Sequence, residues 1–421
     1  MSRNSFMKLV PPLIVGLGTG CAWSAGFQLI EQNGSGLGNA YAGSAAVAEN
    51  SSTIFFNPAG MTHLKAQEFS VGMAAVGVSM KFSNRGSSVG LLAGSGDGGD
   101  AGGWGFIPNA YFTNAVNRDL YLGVGVGAPF GLKSEYGSPW LGAAQSVRFD
   151  VKTFNINPSV ALRINDMVSL GAGVSWQRLM ADYLRMLAVN SPANAATPLN
   201  LTLDGNAWGW NVGVLLNLSQ ASKLGISYRS AISYDTKGNI NVSGPNAATN
   251  AALSSGANAS LKLPDFFVLS ATHQWSDKWT ALGDLSWTGW STIPKLDVFR
   301  ASGVSAQTLD TDFRDTWRVA LGANYQYNES MKLKFGIAYD QTPVRGDATR
   351  MVSLPDNDRT WLSLGGQWAP AKGSTFDLGL TYLYIPDSSI DNNQAAQGRG
   401  RVVGNYANNA LILGAQYSRA F

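Results

Sequence analysis

The chain ends in the stretch Leu411-Ile412-Leu413-Gly414-Ala415-Gln416-Tyr417-Ser418-Arg419-Ala420-Phe421. In an extended strand successive side chains point to opposite faces. One face would therefore carry Leu411, Leu413, Ala415 and Tyr417, and the other Gly414, Gln416, Ser418 and Ala420. This alternation predicts an amphipathic β-strand that reaches the last residue of the chain.

A terminal aromatic residue on such a strand is typical of the barrels of bacterial outer membranes, whose assembly machinery we expect to recognise Phe421. The third residue from the end, Arg419, departs from that signal, because an apolar or aromatic residue usually stands there. Earlier segments repeat the alternation. Phe376, Leu378, Leu380, Tyr382 and Tyr384 share one face, with Asp377, Gly379 and Thr381 opposite.

The composition favours a membrane protein without helical spans. Charged residues make up 14% of the chain, against about 25% in an ordinary soluble domain. After the N-terminus the sequence has no apolar stretch of the roughly 18 residues that a spanning helix needs. A closed β-barrel is then the way to satisfy every backbone group in lipid. The net charge of +3 gives no reason to expect nucleic acid as a partner.

Residues 1–24 resemble a secretory signal peptide. Arg3 and Lys8 precede an apolar segment, and Ala22 and Ser24 form a small-residue pair at a cleavage site after Ser24. Cys21, the only cysteine, would leave with the signal. Lipid modification of Cys21 is the alternative, although Gly18-Thr19-Gly20 is a poor lipobox. The predicted location is the outer membrane of a Gram-negative bacterium.

Tight polar turns give the number of strands, because outer-membrane barrels have short periplasmic turns and longer outer loops. The turns are Asn117-Arg118-Asp119, Asn165-Asp166, Ser219 to Lys223, Ser276-Asp277-Lys278, Asn328-Glu329-Ser330 and Ala371-Lys372-Gly373. Each joins two strands, one more strand starts near Gln67, and another ends at Phe421. The prediction is an all-β fold, a 14-stranded antiparallel transmembrane barrel.

A barrel of this size is too wide for side chains alone to fill. The candidate for the filling is the segment 25–66, which is rich in small residues and precedes the first clear strand. We therefore predict three parts: the signal peptide, an N-terminal hatch (plug) over residues 25–66 in the lumen, and the barrel over residues 67–421.

The N-terminal segment carries motifs that resemble the hatch of the FadL family of outer-membrane long-chain fatty acid transporters. They are the start Ala25-Gly26-Phe27-Gln28-Leu29, the run from Ser35 to Gly43, and Asn57-Pro58-Ala59. The resemblance extends to the run from Phe130 to Tyr136 and, in layout, to the whole chain. It implies passive uptake of a hydrophobic ligand, either a long-chain fatty acid or an aromatic hydrocarbon.

The same resemblance implies roles for particular residues. Phe27 and Leu29 would belong to the hatch, and Asn57, Pro58 and Ala59 would hold it closed. An ordinary turn into the first strand is the simpler interpretation of those three residues. In this family the ligand is thought to leave sideways, through a gap in the wall at a kink of the third strand.

The predicted third strand contains candidates for that lateral opening. Gly123, Gly125 and Gly127 would leave room on the lumen side, and Pro129, followed by Phe130, cannot donate a ladder hydrogen bond. The competing interpretation is that Pro129 stands where a strand of about ten residues ends anyway.

Two predicted outer loops are unusually apolar and are candidates for ligand capture. One contains Trp140 and Leu141, and the other contains Leu184, Met186 and Leu187 in a pattern with helical spacing. The alternative is that these loops pack on each other as a cap.

A fatty acid carboxylate would favour a cationic partner. The candidates are Arg148, Lys152, Arg178, Arg185, Arg300, Arg314 and Lys334. The sequence does not distinguish among them. Most would form lumen pairs with Asp150, Asp182 or Asp312, or contact outer-membrane lipid and lipopolysaccharide.

Other functions have weaker support. A general porin for polar solutes would have the same barrel. An outer-membrane acyl hydrolase would need a Ser–His pair, but Ser35 lacks the strand-to-helix elbow of a hydrolase and His273 would face lipid. His63 and His273 are the only histidines and have no ligand partners at metal spacing. The sequence therefore predicts no catalytic residues, no metal and no cofactor.

Overall fold

Long antiparallel strands make up most of the chain. A computed structural model describes residues 26–421, so the predicted signal peptide, Cys21 and Ala25 lie outside the described residues. The strands are β1 (Gln67–Asn84), β2 (Gly103–Ala115), β3 (Leu120–Gly127), β4 (Gly131–Glu135), β5 (Arg148–Arg163), β6 (Val168–Met186), β7 (Pro198–Asn217), β8 (Ser222–Arg229), β9 (Ile232–Val242), β10 (Ser255–Leu263), β11 (Phe266–Gln274), β12 (Trp279–Thr288), β13 (Lys295–Arg300), β14 (Ser305–Asp310), β15 (Thr316–Asn328), β16 (Met331–Asp340), β17 (Arg359–Ala371), β18 (Ser374–Asn393) and β19 (Arg401–Ala420).

The helices are short. They are α1 (Thr53–Phe56), α2 (Pro192–Ala195) and α3 (Ala247–Leu253), with 3₁₀ turns at Leu37–Asn39, Pro58–His63, Gly90–Leu92, Trp290–Thr292 and Ala395–Gln397. Within the described residues, none of the helices has the length and apolarity needed to cross a membrane.

All of these segments belong to one sheet that closes on itself. β3 and β4 continue one another along the wall, as do β8 and β9, β10 and β11, β12 and β13, and β14 and β15, so the 19 segments form 14 wall strands. The first and last strands pair from Glu68 with Ala420 to Asn84 with Gly404. The predicted closed antiparallel barrel is confirmed, and each of the six predicted turns connects two neighbouring strands.

The two faces of each strand differ as the alternation predicts. On β19 Leu413 is 45% exposed, whereas Ile412 beside it is fully buried. Large exposed aromatic side chains lie near the short turns, among them Trp275, Trp279, Tyr327, Trp368 and Phe421. An apolar outer surface with aromatic residues at its rim matches a barrel in a lipid bilayer.

Candidate functional site

The N-terminal segment, residues 26–66, is almost entirely buried and contacts strands on several sides of the barrel. Donors of the segment bond acceptors of the wall: Asn39 Nδ2 to Ala323 O (3.2 Å), Ser44 Oγ to Asp284 Oδ2 (2.7 Å), Thr62 Oγ1 to Ser169 Oγ (2.8 Å) and the Gly34 amide to Gln416 Oε1 (3.1 Å). These partners lie on β15, β12, β6 and β19. The segment is therefore fixed to widely separated parts of the sheet.

Asn57 joins two parts of the N-terminal segment to the wall. Its Nδ2 donates to Ala45 O at 2.7 Å and to Val214 O of β7 at 2.9 Å. Its Oδ1 accepts from the amide of Ala59 at 3.1 Å, which starts the 3₁₀ turn with Pro58 in its first position. The side chain has no solvent exposure. Both polar atoms of the side chain thus bond to backbone and fix this corner of the segment.

A buried ion network ties the segment to β16 and β18. Glu49 lies 2.8 Å from Lys332 Nζ and 3.1 Å from Lys334 Nζ, and Lys334 also contacts Asp377 at 3.0 Å. Burial alone would raise the pKa of Glu49, but the two ammonium groups together outweigh it and hold that pKa well below its usual range. Glu49 is therefore ionised in this site.

Glu31 has the opposite environment. The carboxyl group is fully buried, and neither oxygen has a hydrogen-bond partner among the described residues. Burial raises its pKa to about 7, although Arg359 and Arg318 act in the other direction. The N-terminal segment therefore contains a carboxyl group whose pKa lies near neutral pH.

Inward-facing glycines of the wall receive the N-terminal segment. A Cβ at Gly365 would lie 2.8 Å from Gly38 Cα, and one at Gly379 would lie 2.8 Å from Leu37 Cβ. A Cβ would also overlap the segment at Gly171, Gly213, Gly225 and Gly336. These positions lie on six different strands, β6, β7, β8, β16, β17 and β18. The absence of side chains lets the segment touch the wall backbone directly.

The third wall strand is interrupted where the sequence places Pro129. β3 ends at Gly127 and β4 begins at Gly131. The N-terminal segment binds this interruption from inside: the Leu29 amide donates to Pro129 O at 2.7 Å, and the Gly131 amide donates to Phe27 O at 2.9 Å. Phe27 and Phe130 lie 6.0 Å apart between ring centroids. The structure thus brings together predicted hatch residues and predicted lateral-opening residues.

The glycines before the interruption also approach the segment. A Cβ at Gly123 would lie 2.6 Å from Met61 Sδ, and one at Gly125 would lie 3.2 Å from Ile54. Gly127 adjoins the side chain of Gln32. The room that these glycines leave is occupied by residues of the N-terminal segment and, at Gly125, also by the Tyr111 ring of β2, 2.8 Å from the position of a Cβ.

The hydrogen-bond ladder between the second and third wall strands stops short beside this interruption. β2 pairs with β3 only between Ala110 and Ala115, whereas it pairs with β1 from Gly103 to Asn114. Asn109 lies at the point of separation, and its buried amide group has no hydrogen-bond partner among the described residues. The wall therefore has an incomplete hydrogen-bond ladder beside the interruption of the third strand.

The outer loop between the third and fourth wall strands is packed, not open. Trp140 and Leu141 are buried, and Trp140 stacks on Tyr136 with ring centroids 4.0 Å apart. Tyr136 Oη donates to Val352 O at 2.7 Å, from the chain between β16 and β17. In this conformation these residues form a cap, which was one of the two alternatives from the sequence.

The prediction of a loop with helical spacing at Leu184, Met186 and Leu187 is wrong. Leu184 and Met186 lie in β6, which continues to Met186, and Leu187 follows directly. The interval that resembles helical spacing is an extended strand, with Tyr183 and Arg185 facing inward and Leu184 and Met186 outward. Both faces are partly apolar here, which hides the strand alternation.

Three arginines lie near one another at the outer end of the barrel interior. Arg300 and Arg399 are within electrostatic reach of Arg185. Arg185 is 3% exposed and Arg399 is 6% exposed. Arg185 donates to Gln307 Oε1 at 3.0 Å and to Leu187 O at 3.0 Å, and Arg399 donates to Gln394 Oε1 at 3.1 Å. Within residues 26–421, none of the three forms an ion pair with a carboxylate.

This arginine cluster, Arg185, Arg300 and Arg399, adjoins an apolar surface. Arg185 is the cross-strand neighbour of Leu199, which belongs to a buried cluster with Tyr183, Leu201, Ile240, Val242 and Val298. Buried positive charge without a counter-ion is costly and favours an anion. Cations beside an apolar lining match an amphiphilic anion. Sequence reasoning included Arg185 and Arg300 among seven candidates and missed Arg399.

The other candidate cations are paired. Arg148 contacts Asp182 at 2.9 Å and Lys152 contacts Asp150 at 3.0 Å, but these pairs lie on the outer face of the wall, so their predicted lumen location is wrong. Arg178 pairs with Asp204 at 2.8 Å on the same face, and Arg314 lies 3.8 Å from Asp358. Lys334 belongs to the Glu49 network.

The residues considered for catalysis are not arranged for it. Ser35 Oγ accepts from Asn50 Nδ2 at 3.0 Å, and burial lowers the pKa of His63 to about 4. His273 Nδ1 lies 2.8 Å from Ser222 Oγ on an exposed part of the wall, with no carboxylate partner for the ring within residues 26–421. No group of ligating side chains in the described residues could hold a metal ion.

Together, the closed antiparallel sheet, the apolar outer surface and the aromatic rim define a β-barrel protein of the bacterial outer membrane. Residues 15–421 match the family described as "Outer membrane protein transport protein (OMPP1/FadL/TodX)", and the chain belongs to that family. It is a transport protein and not an enzyme.

Characterised relatives agree over most of the chain. The "Long-chain fatty acid transport protein" of Escherichia coli (strain K12) is 31% identical over 418 residues, covering 91% of this chain and 93% of the relative. "Outer membrane protein P1" of Haemophilus influenzae is 33% identical over 408 residues, covering 87% of each. The crystal structure of a Pseudomonas aeruginosa FadL homologue shares the fold with a TM-score of 0.88 at 24% identity, covering 94% of this chain and 100% of that one.

Proposed function

We propose that the protein carries long-chain fatty acids across the outer membrane by passive transport. The observation that carries this proposal is the arginine cluster beside the apolar lining of the barrel. An aromatic hydrocarbon has no anionic group and would leave the three guanidinium groups without a counter-ion. The name of the Escherichia coli relative, a long-chain fatty acid transporter, agrees with this substrate class.

The two parts of a fatty acid fit the two parts of the site. The carboxylate accepts charge-assisted hydrogen bonds from Arg185 and its neighbours. The acyl chain lies along the apolar cluster around Leu199, Leu201 and Val298, where each buried CH₂ contributes about 0.8 kcal/mol. The gain comes from leaving water, so uptake needs no energy source.

Capture begins at the outer loops. Trp140 and Leu141 lie in the cap over this end of the barrel, and Leu184, Met186 and Leu187 line the neighbouring strand end. The cap has to separate before a ligand reaches the arginine cluster, because the loop that carries Trp140 is bonded next to Arg185 and Arg399: the Met186 amide donates to Ala143 O at 2.8 Å, and Gln145 Nε2 donates to Gly400 O at 3.2 Å. Apolar side chains uncovered by this movement would contact the acyl chain first.

Residues 25–66 act as the hatch in this proposal. Its described part, residues 26–66, is held by Asn57, by the Glu49 network and by the wall glycines. Phe27 and Leu29 lie against the interrupted third strand, so a shift of the hatch start uncovers Phe130 and Pro129. Movement of the N-terminal segment and access to the wall are thereby coupled.

Release is lateral, between the second and third wall strands. The ladder there is incomplete above Ala110, and Pro129 cannot restore it because it has no backbone N–H. A fatty acid that leaves by this route passes into lipid with its chain still in an apolar environment. The surrounding partners are outer-membrane lipid and lipopolysaccharide, and the assembly machinery would recognise Phe421.

Uptake of radiolabelled oleate by cells that lack their own transporter tests the proposal. Expression of this chain should raise oleate uptake, with radiolabelled toluene as the comparison ligand. Uptake of toluene without uptake of oleate would contradict a fatty acid as the substrate and indicate an aromatic hydrocarbon instead. Steady open conductance in planar bilayers would indicate a porin, and phospholipid turnover by the purified protein would indicate a hydrolase.

A further inference from the structure

The outer face of the barrel carries a group of charged side chains on five adjacent strand segments. The basic members are Lys133, Arg148, Lys152, Arg178 and Lys237. The acidic members are Glu135, Asp150, Asp182 and Asp204. We call these nine residues the charged patch.

Strand alternation places the charged patch on the outer surface. On β5, Arg148, Asp150 and Lys152 share their face with Val160 and Leu162, which are 40% and 43% exposed. On β7, Asp204 shares its face with Trp208 and Trp210, which are 66% and 49% exposed. The same face therefore changes from apolar to charged along each strand.

That change occurs at the outer boundary of the membrane. Trp176 is the cross-strand neighbour of Trp208, and the Phe154 and Trp176 ring centroids lie 6.4 Å apart, which gives an aromatic row across β5, β6 and β7. Two outward-facing rows farther from the short turns, Lys152, Met180, Asp204 and Lys237 are cross-strand neighbours, and three of these four residues are charged. Aromatic rows mark the interface of a barrel with the bilayer, so the charged patch lies at the level of the lipid head groups.

The patch contains two carboxylates in an unfavourable arrangement. Asp150 and Asp182 are direct cross-strand neighbours on the outer face, where like charges repel. Lys152 lies 3.0 Å from Asp150 and Arg148 lies 2.9 Å from Asp182, but one oxygen of Asp150 has no hydrogen-bond partner among the described residues. Lys237, the cross-strand neighbour of Asp204, forms no ion pair in this part of the chain. Lys133 lies 3.0 Å from Glu135, so within the described residues Lys237 is the basic member of the patch outside any ion pair, and the Asp150 oxygen is an acceptor without a donor.

We propose that the charged patch binds the phosphate groups of an outer-leaflet glycolipid of the lipid A type. Lys133, Lys152 and Lys237 donate to the phosphate oxygens, as basic side chains at a membrane surface do for anionic head groups. Asp150 and Asp182 share a divalent cation with the phosphates, because hard cations take carboxylate and phosphate oxygens together. The acyl chains of the glycolipid then lie along the aromatic row and the apolar band.

The test uses the full chain, purified in detergent, refolded free of lipid and mixed with lipid A in the presence of Mg²⁺. Bound lipid is measured by native mass spectrometry. The triple variant Lys133→Gln/Lys152→Gln/Lys237→Gln should lose at least ten-fold in binding. The matched control Lys81→Gln/Lys262→Gln/Lys295→Gln removes the same charge from exposed positions on β1, β10 and β13 and should bind as the parent does. Resistance of the barrel to unfolding by detergent on heating verifies that each variant is folded.

A second arm tests the cation. Chelation with EDTA should weaken binding of lipid A to the parent, whereas Asp150→Asn/Asp182→Asn should bind equally with and without EDTA. Phosphatidylglycerol vesicles serve as a single-phosphate comparison and should bind more weakly than lipid A. Equal loss in the two triple variants would overturn the proposal, and equal binding of phosphatidylglycerol would overturn the glycolipid as the ligand. None of these binding measurements depends on oleate transport, so failure of the lipid A proposal is distinguishable from failure of the proposed transport function.

Discussion

Asn57 Nδ2 donates to the carbonyl oxygen of Val214 at 2.9 Å, and this bond joins the N-terminal segment to the seventh of the chain's strand segments. The Asn57 side chain also donates to Ala45 O through Nδ2 and accepts from the backbone N–H of Ala59 through Oδ1. One side chain therefore satisfies three backbone groups in a site that water does not reach.

We expect Asn57→Ala to loosen the N-terminal segment and leave the barrel intact. The substitution removes the donor to the buried carbonyl group of Ala45, at about 1–3 kcal/mol for an unsatisfied buried group, and breaks the bond to Val214 O that joins the segment to β7. Conductance in planar bilayers should rise, with unchanged resistance of the barrel to heat. Asn258→Ala, at an exposed position on β10, is the control. Unchanged conductance and oleate uptake would remove Asn57 from the gating mechanism.

We expect Gly336→Ala to displace the segment from the wall. A Cβ at this position overlaps the backbone of Asn39, and backbone cannot rotate away as a flexible side chain can. Limited proteolysis should cut the N-terminal segment faster in this variant. Gly283→Ala is the matched control, because a Cβ there meets nothing within 4 Å. Equal cleavage rates in the two variants would contradict the close approach of Asn39 to the wall.

We expect Arg185→Gln to weaken binding of a fatty acid while it spares a neutral ligand. Loss of a charge-assisted hydrogen bond is worth about 1.5–3 kcal/mol, which corresponds to a loss of roughly ten-fold or more in affinity. Fluorescence displacement with oleate and with its methyl ester separates the carboxylate contribution. Arg178→Gln changes the same residue type on the outer face of the same strand and should have no effect. The proposal for the arginine cluster is wrong if the acid and the ester lose affinity equally.

We expect the segment to be held less firmly as the pH rises towards and past 7. In the folded protein Glu31 keeps its proton up to a pKa of about 7, whereas the ordinary value is 4.5. The folded state therefore binds more protons between these values, and the stabilisation present below pH 4.5 is lost as the pH rises through that range. The full difference is about 3 kcal/mol. Conductance should be higher at pH 8 than at pH 5.5.

Glu31→Gln isolates this effect, because glutamine does not titrate and has nearly the same size. The variant should give conductance that does not change between pH 5.5 and pH 8. A pH response of the same size in the parent and in the variant would assign the effect to another group. The Glu49 network acts in the opposite direction, since its stabilisation is lost only as the pH falls through the lowered pKa of Glu49.

The wall could be predicted from the sequence because two local signals agree. Alternation places Leu413 outside and Ile412 inside, and tight turns such as Asn165-Asp166 mark where each hairpin reverses. The seam between the first and last strands follows from closure. The strand segments that are broken, such as β12 and β13, could not be separated from whole strands, because the breaks depend on tertiary contacts.

The site was less predictable for a physical reason. Around Leu184 and Met186 both faces of β6 are partly apolar, so the period of two disappears and the spacing resembles a helix. The role of Arg185 depends on Arg399, which lies more than two hundred residues later and approaches only after the barrel closes. Charge alone could not separate Arg185 from Arg178, whereas strand parity places Arg185 beside Tyr183 inside and Arg178 beside Trp176 outside.

The bare glycine positions on the wall have a consequence for protein engineering. Because the leading segment packs directly on the wall at Gly336, Gly365 and Gly379, its shape is complementary to the inner surface of this particular barrel. A chimaera that combines the leading segment of one relative with the cylinder of another will seal only if both surfaces are exchanged as a matched set. Conversely, paired redesign of the two surfaces offers a way to set how tightly the pore is stoppered without altering the ligand-contacting side chains.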